Sequence, residues 1–268
     1  MLSVQIEKIR NEEMNIRSTT LRLIPSISLL NLVLKTYSMT KFELMLAPME
    51  GHTNPEFREL CYKKGADSTF TEMARISALA RGNKSTLEKI NIPKPIPTHI
   101  QLIGMNEKEL GGFLEEFEPQ KGFLGFNLNL GCPSPEMIKR GLGCASIKRI
   151  SKIQKIVKII KNHGFNVSLK IRLGMNQYEK EKKVYLNLIK KVEADFFIVH
   201  AKHGKERSRD PADFSVYEEC VNTGKIIIAN GDIKTKEQID YLKSIGVKGA
   251  MIGRAAIENP DIFKILSG

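Results

Sequence analysis

Cysteine is scarce in this 268-residue chain, which has only Cys61, Cys132, Cys144 and Cys220. None forms a C-x-x-C pair, and no Cys/His cluster has zinc-ligand spacing. Four thiols at this density make no disulfide framework, so the expected environment is a reducing cytoplasm. Long apolar runs are also missing. The longest, Leu21 to Leu34, is interrupted by Arg22, Pro25 and Asn31 and is too short to span a bilayer. Glu7, Glu12 and Glu13 precede it, a poor fit to a signal peptide. No Walker-type loop occurs, which argues against a nucleoside triphosphate ligand. No low-complexity linker divides the chain.

What is present is an ordinary soluble balance, 27% charged and 41% hydrophobic, enough for one large domain. The net charge is +12. Residues 1–38 hold five basic and three acidic side chains, so about +10 belongs to the rest. That excess favours a polyanionic partner such as nucleic acid, through counterion release, although a lysine-rich proteome gives the same number. Met39 opens a run directly before the first strong strand. Residues 1–38 are therefore expected to be an extension outside the fold or an upstream mis-start, with one domain over 39–268.

From residue 44 onward, strand-like runs alternate with helical patterns. The strands are expected at 44–48, 68–72, 98–103, 124–129, 167–172, 195–199, 225–229 and 249–252. The clearest helix is 151–162, where Ile153, Ile156, Val157 and Ile160 recur at helical spacing with lysines on the other face. Asn106, Ser151 and Thr235 read as N-caps, and Gly164 as a C-cap. Eight βα units in about 220 residues argue for an α/β fold of the closed (β/α)8 barrel type, the TIM barrel. A doubly wound sheet would more naturally show a glycine-rich phosphate loop after its first strand. Here that strand ends in Ala47-Pro48-Met49-Glu50-Gly51.

In such a barrel the chemistry sits at the carboxyl ends of the strands. Pro48, Met49 and Glu50 end the first strand, and Gln101 lies on the third. The fourth carries Asn127 and Asn129 and runs into Gly131-Cys132-Pro133, a tight turn that presents one thiol as a candidate acid, base or nucleophile. Lys170 and Arg172 are two apart on the fifth, so they point to one side. His200 ends the sixth strand, Asn230-Gly231-Asp232 the seventh and Gly253-Arg254 the eighth. Taken singly, Cys132 is equally a small buried cysteine, Lys170 a solvated strand end and His200 a satisfied core histidine. All of them on one rim argue for a site. Gly231, Gly253 and Arg254 at the last two strands suit a phosphate, and flavin mononucleotide fits, with Lys170 stabilising charge on the reduced ring.

These ordered motifs resemble the tRNA-dihydrouridine synthases from Leu46 to Phe263. They are Ala47-Pro48-Met49-Glu50-Gly51, Gln101-Leu102, Asn129-Leu130-Gly131-Cys132-Pro133, Lys170-Ile171-Arg172-Leu173-Gly174, Val199-His200-Ala201, Asn230-Gly231-Asp232-Ile233 and Met251-Ile252-Gly253-Arg254-Ala255. The resemblance implies an FMN enzyme that reduces a uridine of tRNA to 5,6-dihydrouridine, with NADPH reducing the flavin. Hydride would pass from flavin N5 to C6 of the uracil, and Cys132 would protonate C5. Pro48, Met49, Glu50, Gln101, Lys170, His200, Asn230, Gly231, Asp232, Gly253 and Arg254 would hold FMN. Asn129, Lys170 and Arg172 would face the uracil.

The chain departs from the family pattern in places. Asn127 stands where the family usually has Asp, Ala201-Lys202-His203 where it reads small–Arg–Thr, and Asp210 where it has Gly. The following loop stays basic, with Lys202, Lys205, Arg207 and Arg209. Family members continue into a C-terminal helical domain that grips tRNA, whereas this chain stops five residues after Phe263. A short form of this kind would bind RNA through the barrel alone, the N-terminal extension or a partner chain, or would have lost the activity. The competing readings are an FMN barrel reductase of small molecules, in the manner of dihydroorotate dehydrogenases, and an inactive RNA-binding remnant.

Overall fold

The structure is a computed structural model that describes residues 39–268; the expectation for residues 1–38 lies outside the described residues. Among the described residues nine strands form one sheet: β1 (Glu43–Leu46), β2 (Thr69–Phe70), β3 (Ala74–Arg75), β4 (Thr98–Ile103), β5 (Phe123–Leu130), β6 (Val167–Arg172), β7 (Phe197–His200), β8 (Ile227–Asn230) and β9 (Gly249–Ile252). They run in the order β1-β9-β8-β7-β6-β5-β4-β2, with β3 also on β4, and every pairing is parallel. The two ends of that order meet. Met45 and Ser68 form a parallel bridge, Leu46 N donates to Ser68 O at 2.9 Å, and Asp67 N donates to Leu44 O at 2.7 Å. The result is a nearly closed barrel of eight parallel strands, with β2 and β3 as two pieces of the second.

That break differs from the continuous strand expected at 68–72. Its cause is Thr71. The Thr71 hydroxyl accepts from Gln101 N at 3.0 Å, taking the place of a backbone acceptor, and donates to Glu72 O at 2.9 Å. The ladder then skips to Ala74.

The helices fill the outer ring. In the helix Ile150–Asn162 the buried positions are Ile153, Ile156, Val157 and Ile160, each stabilised by roughly 1.5–3 kcal/mol of burial. Asn106 caps the helix Glu107–Glu115 by accepting from Glu109 N, and Thr235 forms a full capping box with Gln238. Ser151 does not cap. The helix begins at Ile150 with Arg149 at the cap position, so Ser151 lies in the first turn. Gly164 follows the C-cap residue His163 at φ 81°, a left-handed position that suits glycine.

The two ends of the barrel interior differ in chemistry. Near the start of the strands, His99 stacks on Phe70 at 4.7 Å and meets Phe196 edge-on at 5.5 Å. Burial pushes its imidazole down to about 3, so it is neutral. The polar residues gather at the other end.

Candidate active site

Strand register builds the rim. Asn129 on β5 pairs with Lys170 on β6. Arg172 pairs with His200, His200 with Asn230, and Asn230 with Met251, across β6 to β9. Alternation turns Leu169 and Ile171 into the buried layer and leaves Lys170 and Arg172 half-buried on the other side.

A cleft of about 190 Å³ opens over β6–β9. It is lined by Pro48, Met49, Lys170, His200, Asn230, Gly231, Asp232, Gly253 and Arg254, nine of the residues singled out in the sequence, together with Lys234. Gly231 has φ 115°, and a Cβ there would lie 2.8 Å from His200 Cδ2, so only glycine fits. Asp232 sits at φ 51° and gathers the cations. Its Oδ1 pairs with Arg254 Nη2 at 2.6 Å; its Oδ2 pairs with Lys202 Nζ at 2.7 Å and accepts from Ala212 N at 3.1 Å. Arg254 Nη1 also donates to Ser208 O at 3.2 Å. Asn230 braces the floor, donating from Nδ2 to Met251 O at 2.8 Å.

The electrostatics follow from crowding. Loss of solvent, then repulsion from Arg172, pushes the Lys170 ammonium down to about 7. Burial, with Lys170, Arg172, Lys202 and Arg254 around it, drives His200 well below its ordinary range, so it stands as a neutral imidazole. Arg172 is lowered by burial and donates from Nη1 to His203 O at 2.8 Å.

On the neighbouring arc a chain of amides supports the thiol. Asn129 Oδ1 accepts from Gly131 N at 3.1 Å and Cys132 N at 2.9 Å. Asn129 Nδ2 donates to Gln101 Oε1 at 2.9 Å, Gln101 Nε2 to Asn127 Oδ1 at 2.7 Å, and Asn127 Nδ2 to Ser168 Oγ at 2.8 Å. Cys132 is half-buried, while the other three cysteines are buried. The turn needs Gly143, since a Cβ there would lie 2.2 Å from Cys132 O.

Two of the residues expected to hold the cofactor stand apart from the cleft. Gln101 is buried beneath the amide chain, and Glu50 is exposed and pairs with Lys89. Lys202, grouped in the sequence with the basic loop, is 2% exposed and locked to Asp232, so it offers no surface charge. Lys205, Arg207 and Arg209 are exposed. Sequence reasoning missed Ser168, whose role needs the register with Asn127, and Lys234, three residues beyond Gly231 in the same turn.

The family model for dihydrouridine synthase (Dus) matches residues 45–267. The chain belongs to that family. Among curated members it is 30% identical over 235 residues to the "Probable tRNA-dihydrouridine synthase" of Aquifex aeolicus, covering 84% of this chain and 72% of that protein. It is 29% identical over 230 residues to the protein of the same description in Helicobacter pylori strain 26695, covering 82% and 68%. The "tRNA-dihydrouridine synthase B" of Pseudomonas putida matches at 29% over 228 residues, covering 82% and 66%. Among solved structures, N-(5'-phosphoribosyl)anthranilate isomerase from Pyrococcus furiosus superposes with a TM-score of 0.50 at 14% identity, covering 84% of this chain and 96% of that one. That likeness shows the barrel fold alone. Within this dihydrouridine synthase-family chain, the match spans the cleft and the Cys132 turn together.

Proposed function

We propose that this protein reduces a uridine of tRNA to 5,6-dihydrouridine, with FMN as bound cofactor and NADPH as its reductant. One observation carries the reading: a cationic cleft and a half-buried thiol share one barrel rim in a chain of the dihydrouridine synthase family. The descriptions of the relatives support tRNA as the substrate.

The donor set of the cleft fits a flavin phosphate. Gly231 and Gly253 bring backbone close, and Arg254 and Lys234 supply positive charge. Asp232 fixes the Arg254 fork without cancelling the excess, since Lys170, Lys202 and Lys234 stand nearby. Pro48, Met49, Lys170, His200, Asn230, Gly231, Gly253 and Arg254 would hold the group. When bound, a flavin supplies a two-electron hydride donor for C6 of the uracil.

The chain's residues do the rest. Arg172 orients the uracil edge, while Asn129, its amide committed to Gly131 N, Cys132 N and Gln101, sets the Cys132 turn beneath it. Cys132 holds a proton on Sγ and gives it to C5, so hydride and proton together saturate the C5=C6 bond. The thiolate left behind is reprotonated from solvent. Lys170, poised near neutrality, gains its charge when negative charge is close. The target base reaches this rim only after leaving the RNA stack.

The test is direct. The purified protein is examined for a flavin spectrum and assayed for dihydrouridine in tRNA from a strain lacking the modification. A yellow protein that forms dihydrouridine supports the reading. A colourless protein inert on tRNA removes it, and a flavoprotein that reduces only small molecules reassigns it.

A further inference from the structure

The cleft and the Cys132 turn occupy two arcs of the rim. Beside the second, on the outer side of the same strand ends, lies charge that neither uses. A groove of about 410 Å³ lies where β4 and β5 end, lined by Lys108, Arg140, Arg149 and Lys152 against a single carboxylate, Glu107. All four cations are exposed. Arg140 reaches Glu136 at 3.5 Å, but Arg75 holds the same carboxylate oxygen at 2.7 Å. No carboxylate among the described residues pairs with Lys108, Arg149 or Lys152.

Two helices begin at this groove, Glu107–Glu115 and Ile150–Asn162, so their partly positive amino ends add to the same field. The second has Arg149 at its cap position, no side-chain cap and no acidic residue in its first turn. Cations there oppose the helix dipole, a local cost that an anion from outside the chain would offset.

The groove is also joined to the thiol. Leu142 lines it, and the residues that follow pack on Cys132: Cys144 N donates to Cys132 O at 3.1 Å, directly beside Gly143. The groove therefore adjoins the turn that presents the thiol.

We propose that this groove is a phosphodiester-binding shelf for the RNA flanking the base offered to Cys132. The proposal rests on the tRNA reading above. The cations are spread over two helices and a turn in an open groove, which suits a running backbone better than one compact anion. It lies on a different arc from Lys205, Arg207 and Arg209, which follow β7, so basic residues flank the mouth on both sides.

The experiment measures tRNA affinity of the full chain between about 50 and 200 mM salt. Arg149→Ala/Lys152→Ala is compared with wild type, with the charge-keeping Arg149→Lys/Lys152→Arg, and with Lys190→Ala/Lys191→Ala. The last pair lies at the carboxyl end of the helix Val184–Lys191, at the opposite end of the barrel. The alanine pair in the groove should lower the log–log slope by roughly 1.4–1.8, since each phosphate contact contributes ~0.7–0.9. Its flavin content should not change, and its melting temperature should stay level or rise slightly, since these cations oppose the helix dipole. The charge-keeping pair and the distal pair should keep the wild-type slope. A wild-type slope in the groove pair, or an equal loss in the distal pair, overturns the shelf. So does displacement of tRNA by millimolar inorganic phosphate at matched ionic strength, which would assign the groove to a small anion. Dihydrouridine formation by wild type is scored in parallel. If it forms while the slope is unmoved, the shelf fails alone; if the slope falls but no dihydrouridine forms, the functional reading fails and the shelf stands.

Discussion

The two working arcs of the rim are built on opposite principles. Over β6–β9 the site is an open cleft crowded with cations, and its one carboxylate, Asp232, is committed to Arg254 and Lys202. At β4 and β5 it is a neutral file of amides, each donor matched to one acceptor from Ser168 to the Cys132 turn. Unpaired positive charge binds an anion but holds no fine geometry, because long side chains pay entropy to stay ordered. A satisfied buried amide network positions a group and binds little. On the proposed function, the first arc would anchor the cofactor and the second would deliver the proton.

The strongest way to break this division is Cys132→Ala. Flavin content and its reduction by NADPH should stay at wild-type levels, while dihydrouridine formation falls by ~10²–10⁴-fold, the usual contribution of a general acid. Single-turnover assays on tRNA give the second number and absorbance at the flavin band gives the first. Loss of flavin reduction in this variant would show that the arcs are not separate.

Next in size is Arg254→Ala. Removing a charge-assisted phosphate contact should weaken FMN about ten- to a hundredfold, read by fluorescence titration. The rate of Cys132 alkylation should not change, since the amide file does not touch Arg254. Unchanged FMN affinity would falsify the phosphate assignment.

Lys170 sharpens the comparison through pH. Its ammonium is held down to about 7 in the ligand-free protein, so the charged form is complete only below that value. An anionic ligand prefers the charged form. FMN affinity should therefore be flat below about pH 7 and fall above it, at most tenfold per pH unit, until the higher pKa of the complex is reached. Lys170→Met should remove that dependence. A wild-type affinity that stays level from pH 6 to 9 would sink the assignment of Lys170 to the cleft.

Much of this was legible in the sequence, and the exceptions have physical causes. β4 and β9 keep their expected bounds, 98–103 and 249–252, because parallel neighbours pair with each on both sides, although β4 carries Thr98, His99 and Gln101. The second strand did not, because the Thr71 hydroxyl replaced a backbone acceptor, and side-chain substitution of that kind leaves no period. The rim residues were readable as strand ends. The partners were not: Gln101, Asn127 and Ser168 meet only through strand register across 26 and 41 residues. Lys202 and Glu50 were grouped by chain proximity with residues they do not join, and it is Asp232 and Lys89 that hold them.

The smallest expected change is at Asn127, and it tests whether the amide file has a direction. The backbone N–H groups of Gly131 and Cys132 require an acceptor, which turns Asn129 Oδ1 toward them and its Nδ2 toward Gln101. Gln101 must then offer Nε2 to Asn127, and Asn127 must offer Nδ2 to Ser168. Asn127→Asp keeps the acceptor that Gln101 needs. The Ser168 hydroxyl, which lies 3.5 Å from Phe126 O, can rotate to donate to the new carboxylate instead. Every group stays paired, so turnover should stay within roughly threefold of wild type and melting should shift little. Asn127→Leu has similar bulk but leaves Gln101 Nε2 buried without its acceptor and Ser168 Oγ without its donor, at a cost of about 1–3 kcal/mol in denaturant unfolding. Equal stability in the Asp and Leu variants would mean that the file is an accident of packing. A loss with Asp as large as with Leu would mean that the burial of charge outweighs the hydrogen bonds. The ordering wild type, Asp, then Leu is what a directed network requires.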